Sequence, residues 1–448
     1  MSAPPPYSDN QVTITDLMTP DPDDDAFVVT SGSSRGLKIA GLVIGIVMVI
    51  SLVATGGYVA WALNTPLPAA TLEWQTPTVE TPLAAQISLP SFGSSALSVS
   101  GADIYLGEDA SGIWQTSGPQ DPQVMASLSK IITALVVLEK YPLADASDPG
   151  PTITFSKADH DLYDQYYVRG ATIAAMPTGT RMSLHDALAT MLIPSASNYA
   201  EAISRWAFGS ISGFRVAARD WLAAHGLAGT TVVEPTGLDA ANVSTPTDLV
   251  AIAKLAAANP TIAAIVRTPS LSIPGPGDLQ NTNALLGVDG ITGMKTGNLG
   301  YGTYAFLFTA RLDVDILHLE VTGAIQGGAT RESVNADVLR MLDSIRRGFH
   351  DVPVGLAGDH IGTVTAPWGG TTEVVISRDV EIFTWSDTPI AVEVAMGDPT
   401  EFATGDVVGE ITWTAGPHQE SADLIVTESI DPPTDWWRLT HPAELLAG

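Results

Sequence analysis

Met125-Ala126-Ser127-Leu128-Ser129-Lys130 opens an apolar run that continues through residues 131–138. If this run forms a helix, Ser127 and Lys130 are three residues apart and share a face, so that the hydroxyl and the amine can meet. A serine hydroxyl attacks well only when a base takes its proton, and a lysine with a lowered pKa can be that base. Because the same spacing occurs by chance on solvated helix faces, the pair is a candidate catalytic centre that needs support from elsewhere in the chain.

Two later stretches supply that support. Pro194-Ser195-Ala196-Ser197-Asn198 follows an apolar helical pattern, and Gly293-Met294-Lys295-Thr296-Gly297 lies on a strand pattern. A lysine and a threonine hydroxyl beside a glycine can bind a carboxylate, because the glycine lets a ligand approach the backbone. Read alone, the first stretch could be an ordinary hydroxyl-rich helix end and the second an ordinary strand lysine. Together, in this order, the three stretches indicate one active site.

The central region, residues 96–348, has strand patterns at both ends and helical patterns between them. Strands are predicted at 96–106, 113–115, 290–296, 301–312 and 314–323, and helices at 127–140, 184–193, 200–208, 214–225, 245–258 and 331–347. This arrangement predicts an α+β fold in which one antiparallel sheet, assembled from both ends of the region, carries packed helices and a helical insertion.

The order Ser-x-x-Lys, Ser-rich loop and Lys-Thr-Gly resembles that of the penicillin-binding proteins and serine β-lactamases. The flanking sequence is similar to that of the serine-type D-alanyl-D-alanine carboxypeptidases in four places, namely 126–135, Gly237-Leu238-Asp239, Asn281-Thr282-Asn283 and Lys295-Thr296-Gly297. The similarity covers about residues 96–347. It implies a β-lactamase/transpeptidase-like fold and a peptidase that acts on peptidoglycan stem peptides and is inhibited by β-lactams.

The resemblance also implies catalytic roles. Ser127 would attack the carbonyl of the terminal D-Ala-D-Ala bond to form an acyl-enzyme, with Lys130 as its base. Lys130 would be neutral in part because cationic Lys295 lies nearby. Ser195 would relay a proton to the departing D-alanine amine, after which water removes the acyl group.

The substrate is held, by the same resemblance, along the last motif. Lys295 and Thr296, beside Gly297, would bind the free carboxylate that makes the enzyme an exopeptidase. Backbone N–H groups of Ser127 and Asn298 would form the oxyanion hole. No cofactor is implied.

The middle motif departs from the family's Ser-x-Asn. Its third position is Ser197, and Asn198 comes one place late. A hydroxyl is shorter than an amide and has one donor instead of two, so Ser197 reaches fewer partners. We expect Ser197 to occupy the space of the family's Asn, with Ser197 and Asn198 both kept as candidate substrate-binding residues. The departure leaves open a second function, a catalytically impaired penicillin-fold module that binds wall peptides or partners.

A third candidate function is that of a β-lactamase. Rapid hydrolysis of an acylated β-lactam needs a carboxylate that activates water, and Glu234 falls about where such a residue stands. The Asn that should follow it is absent, and Gly237-Leu238-Asp239 suits the carboxypeptidases instead.

The composition limits the classes of function. The chain has 448 residues, enough for two or three domains, and 45% of them are hydrophobic. Its formal net charge of -29 would repel nucleic acid and anionic lipid head groups, so neither is an expected partner. The chain has no cysteine, and none of its eight His residues has metal-ligand spacing, so no metal site is expected.

The N-terminal region predicts a single-pass anchor in the cell membrane. Residues 39–63 are uncharged and long enough to span a hydrocarbon core as a helix. Arg35 and Lys38 precede this span and no Lys or Arg follows until Lys130, so residues 1–38, a disordered tail, should be cytoplasmic and the rest extracytoplasmic. A cleaved signal peptide ending at Ala60-Trp61-Ala62 is the alternative, although a long acidic segment before the span is unlike a signal peptide.

Two further segments flank the central region. Residues 64–95 are rich in Pro, Thr and Ala and are expected to form an extended stalk. Residues 352–448 carry short alternating strands, which predict a small all-β domain. Trp436 and Trp437 near the end are expected to be buried against this domain or the catalytic one, with an exposed binding strip as the alternative.

Overall fold

The computed structural model describes residues 34–447, with side chains from Lys38 onward. The predicted tail therefore lies almost entirely outside the described residues. The chain divides into two compact units, one formed by the N-terminal residues up to Pro68 together with residues from Pro432 onward, the other by Ala69–Asp431.

Helices and strands alternate irregularly along the chain. The helices are α1 (Ser34–Asn64), α2 (Asp103–Leu106), α3 (Ser129–Lys140), α4 (Lys157–Tyr167), α5 (Leu184–Leu192), α6 (Ser197–Phe208), α7 (Ile211–Ala224), α8 (Pro246–Ala258), α9 (Pro260–Arg267), α10 (Arg331–Gly348), α11 (Asp435–Thr440) and α12 (Pro442–Leu445). The strands are β1 (Thr71–Trp74), β2 (Ser94–Ser100), β3 (Gln115–Ser117), β4 (Gln123–Val124), β5 (Thr152–Thr154), β6 (Arg181–Ser183), β7 (Val243–Ser244), β8 (Ser270–Ile273), β9 (Gly277–Gln280), β10 (Ile291–Gly297), β11 (Tyr304–Val314), β12 (Leu317–Gly328), β13 (Phe349–Gly355), β14 (His360–Thr365), β15 (Thr371–Ile376), β16 (Val380–Trp385), β17 (Ala391–Met396), β18 (Val407–Ala415) and β19 (His418–Val426).

The central sheet is assembled from both ends of its region, as predicted. Its five strands are antiparallel in the order β10-β11-β12-β2-β3, so that β2 pairs with β12 and leaves β10 at an edge. Apolar side chains on one face pack against α10, and those on the other face pack against the helical region that includes α3 and α8. The predicted strand at 96–106 ends early, because Gly101 adopts a φ of 92° and α2 follows.

The helical region contains the predicted helices and two more. Ser183 caps α5 through a hydrogen bond from the Asp186 N–H to its hydroxyl. The helices that were not predicted are α4 and α9, which begin at the caps Ser156 and Asn259. Both caps are visible in the sequence, but the apolar stripes behind them are too short to stand out.

The C-terminal β-rich part is built on a six-stranded antiparallel sheet in the order β1-β14-β15-β19-β18-β17, with the pair β13-β16 packed on it. Its first strand comes from the segment that was expected to be a stalk. Thr71 to Trp74 pair with Thr365 to Gly362, and residues 85–89 further on pack against the core that α10 covers. The expectation of a free extended stalk is therefore wrong, because alternating side chains in a Pro- and Thr-rich segment can still complete an open sheet edge.

The unit that contains α1 also contains the end of the chain, which was expected to belong to the β domain. Lys38–Asn64 is long and apolar enough to cross a membrane, and residues 38–58 of it are exposed, which fits a single-pass anchor. The Arg438 guanidinium on α11 donates to the Thr65 carbonyl oxygen at 2.9 Å, beside the last turn of α1. Trp436 is 74% exposed, so its expected burial is wrong, whereas Trp437 is half-buried and stacks on His441.

Candidate active site

Ser127 and Lys130 meet at the start of α3. The short 3₁₀ turn Ala126–Leu128 carries the serine and leads directly into α3, whose first turn holds the lysine. Lys130 Nζ donates to Ser127 Oγ at 3.0 Å and to the Thr236 carbonyl oxygen at 2.7 Å. Lys130 is fully buried and Ser127 only half-buried, so a ligand can reach the serine while water is kept from its base.

The protonation of Lys130 follows from this burial. Removal from water disfavours the ammonium form and lowers the pKa of Lys130 to about 7, although the negative charge of Glu234 opposes the shift. Burial is therefore the main cause of the lowered Lys130 pKa, in place of the nearby Lys295 charge that was expected to contribute. At this pKa a large fraction of the lysine is neutral near pH 7 and can accept the serine proton.

Two glycines bring other backbone segments against Ser127 and the residue before it. Gly237 has a φ of 80°, and a Cβ added to it would lie 1.8 Å from the Ala126 carbonyl oxygen. A Cβ added to Gly297 would lie 2.9 Å from the Ser127 backbone nitrogen. Ala126 itself has a φ of 48°, a left-handed conformation that only close packing maintains for an alanine. The serine is thus held in a fixed backbone position between β10 and the loop that contains Gly237.

Lys295 and Thr296 lie on β10, whose outer edge is unpaired within its sheet. Lys295 Nζ donates to the Thr296 carbonyl oxygen at 3.1 Å and to Thr282 Oγ1 at 3.4 Å, and Thr296 Oγ1 donates to Thr282 Oγ1 at 3.0 Å. Burial, then the positive charges of Lys130 and Arg331, hold the pKa of Lys295 well below its ordinary value. No Asp or Glu in the part of the chain that the structure describes forms an ion pair with Lys295, so this cluster of donors is suited to a ligand carboxylate.

Thr282 is a residue of this cluster that was not among the predicted site residues. It belongs to Asn281-Thr282-Asn283, which carries part of the family resemblance, so the signal was present in the sequence. Its backbone N–H donates to the Ile193 carbonyl oxygen at 3.1 Å. This bond links the Lys295 cluster to the loop that contains Ser195.

Ser195 lies on the turn between α5 and α6 and has a φ of 71°. A serine in this left-handed conformation is uncommon and marks a position that the surrounding packing enforces. Its side chain is almost fully buried, and so is that of Ser197, the first residue of α6. Over the described residues no hydrogen bond joins Ser195 Oγ to Lys130, so any proton relay between them requires a substrate or a water molecule.

Asn198 requires a correction as a candidate substrate-binding residue. Its side chain is fully buried, its Oδ1 accepts from the Ala174 N–H at 3.2 Å, and its Nδ2 donates to the Ala174 carbonyl oxygen at 2.8 Å. The amide therefore holds the segment before β6 against α6 and is not directed at a ligand. This geometry agrees with the register in which Ser197, and not Asn198, takes the third position of the motif.

Glu234 stabilises the loop whose Thr236 carbonyl oxygen accepts a hydrogen bond from Lys130. Its carboxylate accepts from the backbone N–H groups of Thr236 and Gly237, each at 2.7 Å, and from Asn242 Nδ2 at 2.9 Å. A carboxylate occupied in this way is poorly placed to activate water, so the geometry does not favour the β-lactamase alternative. From residue 34 to residue 447, no group of three or more Asp, Glu or His side chains is arranged to hold a metal ion.

The sequence is similar to a known enzyme family over this whole region. The family profile described as D-alanyl-D-alanine carboxypeptidase matches residues 97–323, which include every candidate catalytic residue. Curated proteins provide no match to this chain.

The solved structures that resemble this one include the following three. Penicillin-binding protein 5 from Haemophilus influenzae is 18% identical, with a TM-score of 0.50 over 79% of this chain and 99% of that one. Penicillin-binding protein 6B from Escherichia coli is 17% identical, with a TM-score of 0.51 over 80% and 100%. The D-alanyl-D-alanine carboxypeptidase DacD from Francisella tularensis is 16% identical, with a TM-score of 0.51 over 80% and 97%. At such identities the likeness concerns the fold, and it confirms the predicted transpeptidase-like architecture.

Proposed function

Because the chain belongs to the D-alanyl-D-alanine carboxypeptidase family, we propose that it is a membrane-anchored serine peptidase that removes the terminal D-alanine from peptidoglycan stem peptides. The observation that carries this proposal is the 3.0 Å hydrogen bond between Lys130 Nζ and Ser127 Oγ, with the lysine buried and the serine accessible. It supports a nucleophile with its own base, and no cofactor is needed for the chemistry.

Acylation begins when neutral Lys130 takes the Ser127 proton. The alkoxide oxygen attacks the carbonyl of the penultimate D-alanine, and the tetrahedral oxygen develops negative charge. The backbone N–H groups of Ser127 and Asn298 stabilise that charge. The close approach of Gly297 to the Ser127 nitrogen supports this assignment, since a side chain there would fill the space in front of the donor.

The leaving D-alanine departs as an amine and therefore needs a proton. Ser195 passes it on from the Lys130 ammonium, and hydrolysis of the Ser127 ester by water then restores the free enzyme. Lys295, Thr296 and Thr282 bind the terminal carboxylate before departure. That carboxylate supplies the negative charge that the buried Lys295 lacks in the free protein.

The substrate main chain lies along the open edge of β10. A strand at the edge of a sheet offers unpaired N–H and C=O groups, to which an extended peptide can add as a further strand. The same edge accepts penicillins, which acylate Ser127 and leave it blocked. The α1 helix anchors the chain so that the residues after it are extracytoplasmic, as the basic residues before its uncharged span favour.

The test is release of D-alanine from a pentapeptide that ends in D-Ala-D-Ala, compared with the same peptide bearing a terminal amide. We expect release from the free acid and at least a tenfold lower rate from the amide, because only the acid engages Lys295. Intact-mass measurement after exposure to penicillin should show one added acyl group.

Other outcomes separate the alternatives. Penicillin labelling without D-alanine release would support the impaired binding module suggested by Ser197. Equal rates on acid and amide would contradict the assigned carboxylate site. Fast loss of the penicillin label would favour a β-lactamase.

A further inference from the structure

The end of the chain is attached to the end of the membrane helix. The Arg438 side chain on α11 donates to the carbonyl oxygen of Thr65 at 2.9 Å and lies 3.5 Å from those of Ala62 and Leu63. The last carbonyls of a helix have no partner within it and carry partial negative charge, so a guanidinium there is stabilising. A second hydrogen bond runs in the opposite direction, from Tyr58 Oη on α1 to the Leu439 carbonyl oxygen on α11, at 2.7 Å.

These contacts determine the depth of α11 relative to a bilayer. The uncharged part of α1, residues 39–63, is about 37 Å long at 1.5 Å per residue, longer than a hydrocarbon core of about 30 Å. Its last turns therefore reach the lipid–water interface, where tyrosine and tryptophan are preferred. Tyr58 and Trp61 stand on these turns with ring centroids 5.7 Å apart, and α11 is hydrogen-bonded at their level.

We propose that α11 is an interfacial collar that lies flat on the extracytoplasmic lipid surface around the exit of α1, with Trp436 inserted among the head groups. Trp436 is 74% exposed in the protein, although it stands beside a span that lipid must surround. A lipid interface is the environment that solvates its apolar ring and its N–H together. The collar would fix the depth at which the C-terminal end of α1 leaves the membrane.

The chain allows a direct test, because it contains no cysteine. Trp436→Cys in the full-length protein is labelled with an environment-sensitive fluorophore and reconstituted into phosphatidylcholine nanodiscs. We expect quenching by lipids with a nitroxide near the head group, weaker quenching by lipids with a nitroxide at the chain end, and several-fold protection from aqueous iodide. The variant Arg438→Gln in the same background should release α11 and make the label accessible to iodide.

A second label separates this inference from the anchor on which it rests. Val53→Cys lies in the middle of α1 and is 68% exposed in the protein. We expect its label to be quenched by the chain-end nitroxide. If Val53 shows deep quenching while the label at position 436 is freely reached by iodide, the collar is refuted and the anchor stands. If neither label responds to lipid nitroxides, the anchor itself is refuted.

Discussion

At the scale of single residues, Ser127 and Ser129 form a matched pair of serines two positions apart. Ser129 Oγ is buried, donates to the Ala126 carbonyl oxygen at 2.9 Å and accepts from Asn242 Nδ2, whereas Ser127 Oγ faces the cleft and its base. We expect Ser127→Ala to abolish covalent penicillin labelling. Ser129→Ala should keep labelling and lose about 1 kcal/mol of stability, because it removes the buried hydrogen bond from the Ser129 hydroxyl to the Ala126 carbonyl oxygen. Labelling that survives Ser127→Ala, measured by intact mass, would refute the nucleophile.

The pH dependence of acylation should report Lys130. Its pKa is about 7, and only the neutral amine accepts the serine proton. The second-order rate of penicillin acylation is therefore expected to rise through about pH 7 and level off above it, with a loss of about tenfold per pH unit well below that value. Stopped-flow labelling in a series of buffers measures the midpoint. A midpoint near the ordinary lysine pKa would mean that Lys130 is not the base.

The two residues after Ala196 should respond to substitution in opposite ways. Ser197→Asn places an amide at the third position of the motif, near developing charge, and should raise peptidase turnover by about 1 kcal/mol in transition-state stabilisation. Asn198 makes two hydrogen bonds to the Ala174 backbone, and both are buried. Asn198→Ala should therefore cost about 1–3 kcal/mol of stability.

The measurements are kcat for D-alanine release and thermal unfolding of each variant. If Ser197→Asn is inert while Asn198→Ala removes activity without loss of stability, the register of this loop is wrong.

At the scale of elements, the loop from Glu234 to Asn242 is a small self-contained unit that holds α3. The Glu234 carboxylate accepts hydrogen bonds from N–H groups of its own loop and so fixes the position of Thr236. The Thr236 carbonyl oxygen in turn accepts a hydrogen bond from Lys130. Glu234→Gln removes one acceptor oxygen and the charge that raises the pKa of Lys130. We expect a lower plateau rate of acylation above the midpoint and a midpoint shifted to lower pH.

Asp239→Asn is the control for this substitution. Asp239 is in the same loop, and this substitution also removes one negative charge. Within the described part of the chain its carboxylate accepts a hydrogen bond from the Ala241 N–H and from no group that contacts Lys130. It should leave the midpoint unchanged. Equal shifts for both variants would indicate a general effect of charge and not an effect of the loop on Lys130.

At the scale of the whole molecule, β1 connects the segment after the anchor to the C-terminal sheet. A shortened chain that begins at Ala69 lacks α1 and keeps β1, so we expect a soluble, folded protein. A chain that begins at Pro77 also lacks β1, exposes the edge of β14 and leaves the core around Val364 uncovered. It should unfold with about 2 kcal/mol less stability and aggregate more readily.

Thermal unfolding and light scattering of the two shortened chains make the comparison. Both should be acylated by penicillin at the same initial rate, because β1 is not part of the site. If the two shortened chains are equally stable, β1 does not stabilise the sheet, and the segment behaves as the expected stalk would.

Much of the catalytic centre was determined by the sequence itself. The Ser127-x-x-Lys130 pair, the cap Ser183 and the apolar periods of α3 and α10 are local patterns, because helix geometry and capping join residues only three or four positions apart. The order of the motifs then carried the family resemblance and, with it, Ser195 and Lys295. The sequence also shows that position 197 is Ser and not the family's Asn, but it does not show how this change affects turnover.

Only the tertiary structure decided the rest. Asn198 is structural because Ala174, in another segment, takes up its amide, and the residues after Asn64 form no stalk because β14 accepts Thr71–Trp74 as a partner. The low pKa of Lys130 comes from burial by the whole fold, and Arg438 meets α1 across nearly the full length of the chain. Such contacts join residues far apart in sequence, and they form only where packing brings the segments together, so no local pattern encodes them.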